Sequence, residues 1–196
     1  VDVTTSGGYI VKTTIELSKK WMYYSFPKLT VLVTVENISR PNKPNIITIA
    51  WHSPVSLVPP QYGISIDPSR YSHDLIAEAG EFVVNFAGFE LVDDMHFCGK
   101  RSGRKFDKFS DTNLTPEKAQ KVNAPLIKEC YAHLECKLVD SHFYGDHTWF
   151  VGEVVAVSAD KDWFEDGILK NGMLPIYYLG NNSYNSYGSD GPRVKK

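Results

Sequence analysis

The sequence of 196 residues lacks a block of like charge, a long apolar run and a cysteine pair, and each absence removes a class of function. Its 21 Lys and Arg stand against 23 Asp and Glu, a formal charge of −2, with no basic stripe to track a polyanionic strand. Nucleic acid is therefore not an expected partner. No segment reaches the ~18 consecutive apolar residues of a membrane-spanning helix, so no membrane partner is expected either. The opening "VDVTTSGGYIVKTT" lacks the basic-then-apolar order of a secretory leader, and the expectation is a soluble cytoplasmic protein.

Three cysteines are present, and no C-x-x-C. Cys130 and Cys136 lie in "CYAHLECKLVDS", where Cys130, Ala132, Leu134, Cys136 and Leu138 alternate with more polar residues as on a strand with one buried face. Along such a strand six residues span ~20 Å, beyond the ~7 Å limit between bridged α-carbons, so the two cannot pair there. They read as small core residues. Cys98 in "MHFCGK" reads as a buried cysteine before a reactive one.

Several chemistries are missing too. There is no G-x-G-x-x-G between a strand and a helix and no G-K-[ST] loop; the glycines of "CGKRSGRKF" have neither spacing, which excludes a doubly wound dinucleotide domain. His133, His142 and His147 share one region without H-E-x-x-H or Cys/His spacing, so no metal is expected. A serine nucleophile would have no G-x-S-x-G elbow.

Hydrophobic residues make up 42% and aromatics 13%, enough for a folded core, and most of the patterning is of strands. "LTVLVTVEN" (29–37) places Leu29, Val31, Val33 and Val35 on one side. After the turn-rich "ISRPNKPN", the run "IITIAW" predicts an antiparallel partner that ends in a small, polar, proline-stiffened loop, "SPVSLVPP" (53–60), before the strand "QYGISI" (61–66). "SRYSHDLIAEAG" (69–80) predicts a helix capped by Ser69 or Ser72 and stopped at Gly80. A strand at 81–86 and a helix over 90–99 follow, then a helix at "TPEKAQK" (115–121) and a long hairpin, "CYAHLECKLVDS" to "TWFVGEVVAVSA", joined through "HFYGDH". No linker or repeat divides the chain, which predicts a single domain over 1–196, with the Gly/Ser-rich tail from 185 loose.

The stretch "KPNIITIAWHSPVSLVPPQYGISIDPSRYSHDLIAEAGEFVVNF", with "SGRKFDKF", "YGDHTWFVGEVVAV" and "YYLGNNSY", resembles the flavin reductase-like family over about residues 25–185. The resemblance implies a mainly β fold, an FMN-binding split β-barrel: a six-stranded antiparallel Greek-key barrel with flanking α-helices. It further implies a homodimer with FMN at the subunit interface, and hydride transfer from NAD(P)H to FMN and on to free flavin, a ferric chelate or a partner protein. A flavoredoxin-like electron carrier and a non-catalytic flavin-binding protein are the alternatives.

The residue types suit that cofactor. Arg70 stands at a predicted helix start, where free N–H groups favour a phosphate, and Ser69 and Ser72 add hydroxyls. By resemblance, Thr48, Ala50, Trp51, His52 and Ser53 line the ribityl chain and ring, Asn85 approaches the flavin, and Lys108 is a further polar contact. His147 of the Gly-Asp-His is the expected catalytic residue, placing the nicotinamide or polarising the flavin edge. Taken singly, Trp51 would equally serve as a barrel plug, Arg70 as a surface residue and Asn85 as a strand-end turn residue; the structural alternative for His147, a hairpin histidine held by Asp146 or solvent, ranks below its functional role.

Overall fold

The computed structural model describes residues 13–187. In chain order its elements are β1 (Lys28–Leu29), β2 (Val31–Val35), β3 (Asn45–Ile49), β4 (His52–Leu57), β5 (Pro60–Ile66), α1 (Tyr71–Ala79), β6 (Glu81–Phe86) and α2 (Val92–Lys100). They continue with β7 (Pro116–Glu117), β8 (Leu126–Ile127), β9 (Ala132–Tyr144), β10 (His147–Ala159), β11 (Phe164–Glu165), β12 (Ile168–Leu169), β13 (Tyr177–Gly180) and β14 (Ser183–Asn185).

Seven of the strands form one antiparallel sheet in the order β3-β2-β6-β9-β10-β5-β4. The two outermost, β3 and β4, are consecutive in sequence, with only Ala50 and Trp51 between them. The chain bends there and passes from one edge of the sheet to the other. The Ser65 N–H of β5 donates to the Trp51 carbonyl at 2.9 Å across the join. With the bent pair counted once, the seven segments make a barrel of six strands. α1 carries the chain from β5 back to β6, which lies beside β2, and the resulting order β6-β2-β3/β4-β5 is a Greek key. The barrel is split where β3 and β5 part on one side of the bend.

The predicted loop at 53–60 is thus a strand and a hairpin tip. Pro54 is accommodated because β4 pairs on one side only, with β5, and an edge strand tolerates a missing N–H. The strand over 31–35 also differs from expectation, since all five residues are buried. Val31, Val33 and Val35 face the barrel interior with Phe82, Ile64 and Phe150, while Leu32 packs outward against Met95 and Cys98 of α2. Burying a side chain of this size contributes about 1.5–3 kcal/mol, so a strand covered on both faces is anchored from both.

Residues 115–121 are not a helix. Only Pro116–Glu117 is regular, paired with β8, and the backbone N–H groups of Gln120 and Lys121 donate to the buried Glu135 carboxylate of β9. Glu81 does the same for Asn123 and Ala124. These carboxylates take the donors that a helix would use internally. The tail also departs from expectation at its start: β14 pairs with β13, and Tyr187 packs on Tyr177 at 5.6 Å between ring centroids. Residues 188–196 of the predicted loose tail lie outside the described residues.

Candidate functional site

The split in the barrel opens onto a cleft of about 370 Å³. One wall is Ile47 to Trp51, the end of β3 and the bend; the other is Ser65, Ile66 and Asp67 at the end of β5, continuing to Arg70 and His147. Along this wall β3 pairs only with β2, so backbone N–H and C=O groups on its other edge face the cleft. The sheet β1-β13-β14 covers it with Tyr178 and Tyr184, and Phe26 stands 5.6 Å from Tyr178.

At one end the cleft shares Ile47, Arg70, Gly99 and Lys100 with a pocket of about 140 Å³ that also contains Ser69, Ser72, Arg101 and Lys108. Here α1 begins at Arg70 with no side chain capping its first turn, so the positive end of the helix faces a ring of cations. The predicted caps are not formed, because the N-cap position falls on Arg70; Ser69 gives its backbone N–H to Asp67 Oδ1 at 2.8 Å, and the Ser72 hydroxyl accepts from Asn45 Nδ2 at 2.7 Å. Gly80 does stop the helix, with φ 65°. Arg70 forms no ion pair among the described residues.

Lys108 is buried, and its ammonium donates to the carbonyls of Ile46 and Cys98. Burial pushes it down to about 8. Asp67, by contrast, is held below the usual carboxylate range, chiefly by the hydrogen bonds from Ser69 and then by Arg70 and His147. Asp67 thus lies in the cleft beside Arg70 and His147, while the adjoining pocket is lined by Arg70, Lys100, Arg101 and Lys108.

At the other end the cleft shares Met22, Ala50, Trp51, Ser65 and His147 with an aromatic cavity of about 610 Å³, lined in addition by Trp21, Tyr144 and Trp149. The rings of Trp51 and His147 lie 4.8 Å apart at 35° on the boundary between the two. His147 is placed there by the β9–β10 hairpin, whose turn is Gly145-Asp146. Gly145 has φ 61°, a Gly-first turn that matches strand twist, and His147 is the first strand residue after it. His147 Nδ1–H donates to the exposed Asp146 carboxylate at 2.7 Å.

Trp51, Arg70 and His147, distant in sequence, are thus brought together on one cleft with Thr48 and Ala50. The Thr48 hydroxyl donates to the Met95 carbonyl of α2 at 2.6 Å, which fixes its position. Ser69, Ser72 and Lys108 line the adjoining pocket. Three predicted residues have other roles. Asn85 is wholly buried: its amide donates to Leu32 O, Thr34 Oγ1 and Val83 O and accepts from Ile127 N–H, so it ties β6 to β2 and β8 inside the core. Ser53 is exposed on β4 and donates to the Pro54 carbonyl. His52 reaches the aromatic cavity, but both ring nitrogens are used: Nε2–H donates to Leu29 O at 2.9 Å and the Tyr62 hydroxyl donates to Nδ1 at 2.6 Å. Burial holds this imidazole below its ordinary range, which favours the neutral form that those bonds require.

Sequence reasoning missed Asp67, Lys100, Arg101 and the covering tyrosines Tyr178 and Tyr184. "CGKRSGRKF" carried the signal as a cluster of cations, although it has no nucleotide-loop spacing.

A family model described as "Flavin reductase like domain" matches residues 22–185. A relative in Archaeoglobus fulgidus, an uncharacterised protein, is 43% identical over 74% of this chain and 78% of its own. The FMN reductase (NADH) SmoA of Agrobacterium fabrum is 32% identical over 68% of this chain and 73% of its own. Among solved structures, flavoredoxin from Methanosarcina acetivorans superposes with TM-score 0.80 at 28% identity, covering 94% of this chain and 97% of that one.

Proposed function

Starting from the fact that this chain belongs to the flavin reductase-like family, we propose that it is an FMN-dependent oxidoreductase. It takes reducing equivalents from NAD(P)H and hands them to free flavin, a ferric chelate or a partner protein. The observation that carries this reading is the joining, in one split of the barrel, of a cationic pocket at Arg70 to an aromatic cavity at Trp51 and His147.

The chemistry of the donor set fits FMN. Arg70, Lys100 and Ser69, beside the uncapped start of α1, would hold its phosphate. Thr48 and Ser65 offer hydroxyls to the ribityl chain, and the unpaired edge of β3 offers backbone donors and acceptors to the polar rim of the ring. FMN supplies the redox-active ring that accepts a hydride. Trp51 provides a flat apolar wall, and the residues of the larger cavity hold the nicotinamide against it. His147, fixed by Asp146, uses its remaining nitrogen to position the nicotinamide or to hold a proton near the reduced ring. The binding end and the reacting end are separate residue sets, which allows them to be varied independently.

Anaerobic mixing of the FMN-loaded protein with NADH and with NADPH, followed by flavin absorbance, tests the reading. Rapid bleaching by either nicotinamide is expected. A yellow protein that neither nicotinamide reduces would overturn the reductase assignment and leave an electron carrier, a reading favoured by the flavoredoxin likeness.

A further inference from the structure

A second basic pocket, of about 210 Å³, lies on the far side of Asn45 from Lys108. It is lined by the β2–β3 loop (Asn37, Arg40, Lys43), by Tyr71 at the start of α1, and by Gly103 to Asp107 after α2. Arg40, Lys43, Arg104 and Lys105 face it against the single carboxylate of Asp107. Lys43 lies 3.9 Å from Asp107, and Arg104 is held by Asp74 at 3.0 Å and by the Tyr71 ring at 4.6 Å. Arg40 and Lys105 form no ion pair among the described residues, so positive charge remains uncompensated.

The pocket is built before anything binds. Asn37, itself buried, accepts from Arg40 N–H at 3.1 Å and donates to the Tyr71 hydroxyl at 3.0 Å, which locks the loop onto α1. Asn45 forms the wall shared with the Arg70 pocket; it is 3% exposed, and its Oδ1 has no hydrogen-bond partner. Gly103 packs so closely on this oxygen that an added Cβ would stand 2.0 Å from it. A half-turn of the amide would let the Ser72 hydroxyl, which now accepts from Nδ2, donate to Oδ1 instead.

We propose that this pocket binds a phosphoryl group. The group is either free phosphate or the second phosphate of a flavin dinucleotide whose first phosphate is held at Arg70, and the second source rests on the function proposed above. The two pockets adjoin, with Asn45, Tyr71 and Gly103 in the lining of both.

The test compares wild type with Arg40→Ala/Lys105→Ala, two exposed positions outside the flavin-contacting set. Inorganic phosphate is titrated into FMN-saturated protein and followed by ³¹P NMR, and FMN and FAD affinities are measured by calorimetry. Loss of two charge-assisted contacts should weaken the affected ligand by at least about tenfold and leave FMN within about twofold. Weakened phosphate binding with unchanged FAD assigns a free oxyanion; weakened FAD binding assigns the dinucleotide. Unchanged values for both overturn the proposal, and so does an equal loss for FMN, which would make the pocket part of the Arg70 site. If wild type binds no flavin at all, the functional reading fails, while the phosphate titration on the unliganded protein still decides this one.

Discussion

At the residue scale the proposed function puts binding and chemistry at opposite ends of the cleft. Arg70 lies at the proposed phosphate end without an ion-pair partner among the described residues, so Arg70→Ala should remove a charge-assisted contact worth roughly 1.5–3 kcal/mol. FMN affinity should fall about tenfold or more while riboflavin affinity holds, as read by flavin-fluorescence titration. His147 is at the other end. His147→Ala should leave FMN affinity nearly unchanged and slow single-turnover reduction by about 10²-fold. Reduction at the wild-type rate at every nicotinamide concentration would make His147 structural. Lys108 supplies a pH test. Its ammonium is lowered to about 8 in the fold, whereas the unfolded chain keeps that proton to about 10.4. Between those values unfolding takes up a proton, so Lys108 contributes stability that increases as pH rises from about 8, on the order of 3 kcal/mol in total. Lys108→Met should lack this increment in paired denaturant titrations, while groups common to both proteins cancel. These residue types and their order were legible in the sequence. The place of Asn85 was not, because a strand-end Asn reads alike whether it faces a ligand or satisfies four buried backbone and hydroxyl partners.

The elements were legible where hydrophobic alternation and Gly stops agreed, as in β2, β5, α1, β6 and the β9–β10 hairpin. Two were not, each for a tertiary reason. The 115–121 segment carries a Thr-Pro helix start, but Glu135 from a distant strand captures its amides. The polar stretch after Trp51 looks like a loop because Ser and Pro are poor in central strands, yet β4 is an edge. The layer β4-β5-β10 also fixes the aromatic cavity. The Trp149 indole lies over Gly63, where a Cβ would come within 2.2 Å of the ring. Gly63→Ala should therefore displace Trp149, lowering stability by about 1–3 kcal/mol and shifting tryptophan emission. Nicotinamide KM should rise more than FMN Kd, since Trp149 lines the larger cavity and not the Arg70 pocket. An unshifted emission with unchanged KM would remove Trp149 from the site.

For the molecule as a whole, the cleft is wide and its aromatic end is rimmed by residues open to solvent, including Trp21 at 58% and Tyr144 at 64% exposure. A second copy of the chain is the proposed cover. Sedimentation at micromolar concentration should give a species near twice 22.1 kDa, and dilution to monomer should release FMN. A monomer that retains its flavin would sink the shared-interface reading. The bend between β3 and β4 has a consequence of its own. Because the Ser65 amide bonds to Trp51 across the join, its proton is shielded from solvent deuterium only while the barrel is shut. That single amide is a clock for the opening of the seam: its exchange rate counts how often the two walls part, and a molecule wedged between them should slow it without touching the amides of the buried strand β2.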